Sequence, residues 1–197
     1  MATGASTLAE VDEAVKTIRE QGNSQIILLQ CVTNYPSEFE SANVRVIEAY
    51  QKAFDVLVGY SDHTPGYIVP MATVALGGCV IEKHFTDDKT RAGPDHPHAL
   101  DPKEFRLMVQ NIRLLEKSLG SPVKTIYPEE NETVVLQRRC VRAKIDILAG
   151  TKITKEMLDI LRPAPAGALL PKEFRSAIGH LAQREIKKGE AIRWDLI

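Results

Sequence analysis

The heptapeptide "QIILLQC", Gln25–Cys31, is apolar almost throughout and does not alternate. A strand with one wet face alternates polar and apolar residues, so an unbroken run fits a strand covered on both faces of a parallel sheet. Upstream, Leu8, Val11, Ala14, Val15 and Ile18 recur at helical spacing, Thr7 with Glu10 makes a capping box, and Gly22 in "EQGN" stops the helix. Downstream, the turn-rich "TNYPSEFE" leads to a second helix over residues 43–54 and then to the strand "VLVGYS", Val56–Ser61. A helix is expected over Pro65–Leu76, followed by a third strand, "GCVIEKHF", Gly78–Phe85. After a long polar loop, "DPKEFRLMVQNIRLLEKSLG" reads as an amphipathic helix with Asp101 at the N-cap, Pro102 at the first helical position and Gly120 as its stop. Strand–loop–helix units repeating every ~25–30 residues predict β/α crossovers and a parallel sheet. An eight-stranded β/α barrel takes about 250 residues. Three strands therefore make either a small open sheet or the back part of a barrel.

"SPVKTIYPEENETV", Ser121–Val134, breaks this texture with proline, charge and no periodicity, as a linker does. Beyond it, "DILAGTKITKEML" (Asp146–Leu158) is echoed by "EIKKGEAIRWDLI" (Glu185–Ile197), which predicts a small unit built from two related β-rich halves. The expected organisation is a β/α domain over 1–120, a linker over 121–135 and a small domain over 136–197, near the lower size limit for independent folding.

Composition narrows the class but not the chemistry. The chain has 197 residues, 44% of them hydrophobic, and a formal charge of −1, so it carries no basic footprint for nucleic acid and no polybasic membrane patch. Apolar runs such as Ile26–Leu29 are far too short to span a bilayer. Cys31, Cys79 and Cys140 are widely spaced and form no paired-thiol zinc pattern, so they read as reduced thiols in or near a core. The expectation is a soluble cytoplasmic protein.

Ligands bind at the carboxyl ends of the strands in β/α folds. Strand one ends in Cys31, Thr33, Asn34 and Tyr35; strand two in Ser61, Asp62, His63 and Thr64; strand three in Glu82, Lys83 and His84, with Asp87, Asp88 and Asp95 after it. Alternation puts Glu82 and His84 on one face and Lys83 on the other. Adjacent strands lie about 4.8 Å apart, so His63 and His84 can reach one ion and leave positions open for substrate. A lone strand-end histidine is more often a hydrogen-bonded structural residue; two at corresponding positions with carboxylates nearby read equally as structural residues or as metal ligands. Ser61 and Thr33 read either as phosphate contacts or as caps of the next helices. Arg162, before Pro163, reads locally as a solvated arginine, and His96, His98 and His180 read as ordinary loop or surface residues.

Six segments, "TGAST", "LLQCVTNYP", "GYSDHT", "VIEKHFTDD", "GPDH" and "ALDPKEF", resemble the N-acetylneuraminate (sialic acid) synthase family. The last part of the chain resembles that family's antifreeze-like (SAF, β-clip) domain. The resemblance implies an α/β fold: the C-terminal part of a (β/α)8 barrel followed by the small β-clip domain. It implies condensation of phosphoenolpyruvate with an N-acetylated amino sugar such as N-acetylmannosamine, with a pseudaminic or legionaminic acid synthase as the near alternative. A non-catalytic carbohydrate- or partner-binding module is the alternative of another class.

By the same resemblance, His63 and His84 match the ligands of a divalent metal, usually Mn²⁺, with Mg²⁺ or Co²⁺ as alternatives. Ser61 and Thr33 match phosphate-binding positions, Tyr35 and Asp95 lie where the sugar is held, and Glu82 lines the same site. Arg162 matches an arginine that reaches the substrate of a partner subunit in a swapped homodimer, a role suited to a fork of donors. "MATGAST" matches the end of the family's fifth barrel strand, with Ala2 where the family has serine. The expectation is then a truncated chain whose first strand presents an unpaired apolar edge. Such a chain is expected to be inactive alone unless another chain supplies strands one to five.

Overall fold

The structure, a computed structural model, describes residues 1–197 and divides into two units, Met1–Pro122 and Val123–Ile197. In the first unit the apolar run becomes β1 (Ile27–Cys31), buried over its last four residues. It pairs in parallel with β2 (Leu57–Asp62), from Ile27 opposite Leu57 to Cys31 opposite Ser61. In turn β2 pairs in parallel with β3 (Val80–Lys83), from Gly59 opposite Val80 to Asp62 opposite Lys83. Helix α1 (Leu8–Glu20) precedes β1, α2 (Val46–Phe54) joins β1 to β2, α3 (Ile68–Ala75) joins β2 to β3, and α4 (Pro102–Leu119) follows the polar loop. The result is a mixed α/β unit on a parallel sheet.

Both expected caps are present. The Thr7 amide donates to Glu10 Oε2 at 2.7 Å, and the Asp101 carboxylate accepts from the Lys103 and Glu104 amides at 2.8 Å each. Leu28, Ile47, Tyr50, Phe54, Val58 and Tyr60 fill the core between the sheet and the helices, joined by Val11 and Val15 of α1. The Tyr60 hydroxyl donates to the Ala42 carbonyl at 2.6 Å, which satisfies the one polar atom of that buried ring.

The elements are shorter than the sequence suggests. Helix α2 starts late because Asn43 is left-handed, at φ 48°. Helix α3 starts at Ile68 because Thr64–Gly66 forms a turn in which Gly66 has φ 70°. Strand β3 stops at Lys83, and Phe85 pairs instead with Leu100. The first strand's outer edge is also not bare: the Leu29 amide donates to the Met1 carbonyl at 2.9 Å, and the Thr3 amide to the Leu29 carbonyl at 3.0 Å. Of the cysteines, Cys31 and Cys140 are buried as expected, whereas Cys79 is exposed.

Gly59 shows how closely β2 and β3 are fitted. A Cβ there would lie 2.2 Å from the Val80 carbonyl oxygen and 2.8 Å from Leu29 Cδ2. Backbone cannot yield as a flexible side chain can, so Gly59→Ala is expected to cost about 3 kcal/mol of unfolding free energy, at the upper end for overpacking. Urea unfolding followed by circular dichroism checks this, and a cost below ~1 kcal/mol would contradict the packing described.

In the second unit, residues 128–130 form a 3-10 turn and α5 (Asn131–Gln137) follows it, where the sequence suggests only linker. Seven residues are too few to show a helical period. Strands β4 (Cys140–Ala143) and β5 (Leu158–Leu161) pair antiparallel, and α6 (Phe174–Ala177) is a single turn. The echoed segments bond to each other. Ile147 and Ile186 exchange both backbone hydrogen bonds, at 2.8 and 2.9 Å. The Gly150 amide donates to the Ala182 carbonyl and the Gly189 amide to the Ala143 carbonyl, each at 2.7 Å. Both glycines are left-handed, at φ 77° and 81°, which explains why glycine recurs there. Ile147, Ile153, Ile186 and Ile192 make the shared core.

No helix of the chain is long and apolar enough to cross a membrane.

Candidate functional site

His63 and His84 each follow the last residue of a strand, and those last residues, Asp62 and Lys83, are register partners. The two imidazoles therefore stand side by side, with ring centroids 5.1 Å apart and planes at 78°. Behind them Lys83 Nζ meets Asp62 Oδ2 at 2.8 Å, with side chains 1% and 0% exposed. The other Asp62 oxygen accepts from the Thr64 amide at 2.9 Å and its hydroxyl at 2.8 Å, while Lys83 also donates to the Thr64 carbonyl. The strand ends are thus tied on their reverse face by a buried, hydrogen-bonded ion pair. Sequence alternation places Lys83 away from His84 but does not reveal its partner. The matching offsets of "DH" and "KH" in neighbouring strands were the available signal.

On the front face the Ser61 hydroxyl donates to Glu82 Oε1 at 2.6 Å, a second tie between β2 and β3. Beside it the Cys31 thiol is buried, which pushes its pKa up and keeps it in the thiol form. His63 Nδ1 lies 2.7 Å from the Val32 carbonyl. A carbonyl only accepts, so Nδ1 carries the proton and Nε2 is the nitrogen left for a metal, the orientation that a metal-ligating histidine requires. The loop that supplies this carbonyl is pinned in turn, since the Ser37 amide donates to the His63 carbonyl at 2.9 Å. Tyr35 extends from the same loop over the histidines, with its ring centroid 4.1 Å from His63 and 5.7 Å from His84.

The loop after β3 returns to the site. The Leu100 amide donates to the His84 carbonyl at 2.9 Å, and the Thr86 amide to the Leu100 carbonyl at 3.0 Å. This closure sets Asp95 Oδ1 at 3.8 Å from His84 Nδ1 and brings the His98 ring centroid to 5.0 Å from that of His84. Burial lowers the His98 pKa and the neighbouring His84 lowers it further, which favours neutral imidazole. Reading His98 as an ordinary loop residue is therefore corrected. The missed signal was the apolar pair before Asp101: Leu100 and Phe105 join one apolar cluster at the start of α4, at the spacing of a hydrophobic staple. His96 bonds to the Thr86 hydroxyl at 2.7 Å, and His180 packs on Trp194 in the second unit.

His63, His84, Tyr35, Asp95, Ser61 and Glu82 are thus gathered at the ends of β2 and β3. Thr33 lines a neighbouring cleft of about 610 Å³ at the end of β1, with Thr3, Cys31 and Asn34. Arg162 belongs to the second unit, exposed, one residue past β5. Its neighbour Pro163 is held through its carbonyl by Arg142 Nε at 3.2 Å.

Donor atoms of His84, Asp95 and His98 lie within 4.8 Å of one another, a set that suits a divalent cation; His63, beside His84, is not among those three. The residues present fit such an ion by the number and kind of their donors and by the nitrogen left for a metal on His63.

A parallel β/α sheet with imidazoles and a carboxylate gathered at two adjacent strand ends defines a class of protein: a β/α fold with a cation-type site at its carboxyl end. Residues 1–124 match the NeuB family model and residues 138–197 match the SAF domain. The chain belongs to the NeuB family. It is similar to the N,N'-diacetyllegionaminic acid synthase of Legionella pneumophila, at 38% identity over 100% of this chain and 56% of the relative. The N-acetylneuraminate-9-phosphate synthase of Mus musculus is 41% identical over 82% of this chain and 44% of its own length. Among solved structures, the spore coat polysaccharide biosynthesis protein SpsE of Bacillus subtilis aligns with TM-score 0.58 and 34% identity, over 100% of this chain and 60% of that one. The chain spans about half the length of the curated relatives it matches.

Proposed function

We propose that this chain carries the cation-binding strand ends and the SAF domain of a nonulosonic acid synthase, which joins phosphoenolpyruvate to an N-acetylated amino sugar and releases phosphate. The observation that carries this reading is the pair of imidazoles at register-matched strand ends in a chain of the NeuB family. In this reading the first unit is the last part of a (β/α)8 barrel.

A divalent cation, Mn²⁺ first among the candidates, supplies Lewis-acid polarisation of the sugar aldehyde when bound. His63 and His84 hold it, with His63 oriented by the Val32 carbonyl. Ser61 and Thr33 orient the phosphate. Tyr35 and Asp95 hold the sugar, and Glu82, fixed by Ser61, shapes the same face. Carbon 3 of phosphoenolpyruvate forms the new bond to the aldehyde carbon, water adds at carbon 2, and the C–O bond to phosphate breaks. Arg162 serves the site of a second copy in a swapped homodimer, where its fork of donors holds several substrate oxygens. Phosphoenolpyruvate is a cytoplasmic metabolite, and the protein works there.

Three strands do not close a barrel, and the groups that would complete the pocket must come from further strands. The 197-residue chain by itself is therefore expected to show no turnover. The test is phosphate release from phosphoenolpyruvate by the protein purified in its native form from source cells, with Mn²⁺ and a panel of amino sugars. N-acetylmannosamine, its 6-phosphate and a 2,4-diacetamido hexose make up the panel. Phosphate release with one sugar, together with a product acid of the matching mass, is the expected result. No release with any sugar would overturn the reading. Sugar binding by the chain that is indifferent to metal and to the loss of both histidines would favour a binding module.

A further inference from the structure

His98 has one ring nitrogen, Nε2, that is buried and has no hydrogen-bond partner. Native proteins rarely leave such an atom unpaired, and one that stays so asks for a ligand. The atom belongs to the residue whose donor converges with those of His84 and Asp95, all within 4.8 Å. An ion about 2.1 Å from each donor tolerates donors up to about 4.2 Å apart, so closing the set takes less than ~1 Å of movement. The backbone keeps that movement small. The Ala99 amide donates to the Asp95 carbonyl at 3.1 Å, the Leu100 amide to the His84 carbonyl at 2.9 Å, and Ala99 and Leu100 are buried. One turn thus carries two donors, and its end is bonded to the residue that carries the third.

We propose that His98 is a direct ligand of the cation, closing with His84 and Asp95 a face of two imidazoles and one carboxylate that selects a first-row transition cation over Mg²⁺. The proposal rests on the reading that these strand ends hold a divalent cation, and it adds two ligands, His98 and Asp95, and a selectivity to that reading. Imidazole nitrogen suits the later first-row ions, whereas Mg²⁺ prefers oxygen and keeps its waters. Asp95, assigned to the sugar by resemblance, here turns to the ion.

The test is titration of the 197-residue chain with CoCl2, read from the visible d–d bands and by calorimetry. His98→Ala, His98→Gln and His84→Ala are compared with the parent chain, with far-UV circular dichroism as the control for folding. Both His98 variants are expected to bind Co²⁺ at least tenfold more weakly, and a hundredfold excess of Mg²⁺ is expected to leave the bands unchanged. Pulsed electron spin resonance on the Cu²⁺-loaded chain should count one imidazole fewer in His98→Gln than in the parent. If His98→Ala destroys the fold, that count and the His98→Gln affinity decide. Unchanged affinity in both His98 variants with loss in His84→Ala would remove His98 and leave the cation site standing. Mg²⁺ displacing Co²⁺ at comparable concentration would overturn the selectivity. Absence of binding by the parent chain, or indifference to His84→Ala, would overturn the proposal together with the reading beneath it.

Discussion

Asp62→Asn is expected to destabilise the first unit by about 3–5 kcal/mol, because it leaves the Lys83 ammonium buried without a counter-charge. Both side chains are essentially removed from solvent, at 0% and 1% exposure, and their contact is 2.8 Å. An exposed pair such as Lys16–Asp12, at 67% and 44% exposure, is screened by solvent and contributes little, so the contrast in burial sets the scale. Lys83→Met is expected to cost a similar amount by stranding the Asp62 carboxylate. Combined, Asp62→Leu with Lys83→Met is expected to recover only part of the loss: no uncompensated charge is left, but the buried Thr64 amide and hydroxyl lose their acceptor. Urea unfolding of the three variants beside the parent chain measures all of these changes. Single substitutions costing under ~1 kcal/mol would show that the pair does not tie the strand ends.

His84→Ala has the other large effect. His84 is the residue on which the geometry converges: its ring neighbours those of His63 and His98, and Asp95 approaches its Nδ1 at 3.8 Å. Loss of an outer-shell partner weakens metal binding by about 10–100-fold, and loss of a direct ligand should reach at least the top of that range. Mn²⁺ affinity by calorimetry is therefore expected to fall about a hundredfold or more. Stability should change little, because the side chain is 27% exposed and fills no core. Undiminished Mn²⁺ affinity in a folded His84→Ala chain would place the ion elsewhere.

Several features were legible before any coordinates because they depend on local pattern. The unbroken apolar run of β1 gave a buried strand, the Thr7 and Asp101 caps gave the starts of α1 and α4, and the strand-end histidines gave two members of the site. The echo in the second unit was visible as spacing, although the pairing of Ile147 with Ile186 across it was not. What stayed hidden depends on register and loop closure. The Asp62–Lys83 pair needs two strands to be aligned residue against residue. His98 needs a loop of more than ten residues to return to the strand end it left, which no periodicity records. Helix α5 is too short to show its period amid proline and charge.

All of this turns on one claim, that the carboxyl ends of β2 and β3 hold a divalent cation. Crystals of the chain grown with Mn²⁺ and measured near the manganese absorption edge would locate the ion by its anomalous signal. A single strong peak within ligand distance of a His84 ring nitrogen, bordered by His63 or His98, is the expected result. A map with no peak within ligand distance of His84, or with its strongest peak elsewhere on the chain, would contradict the account.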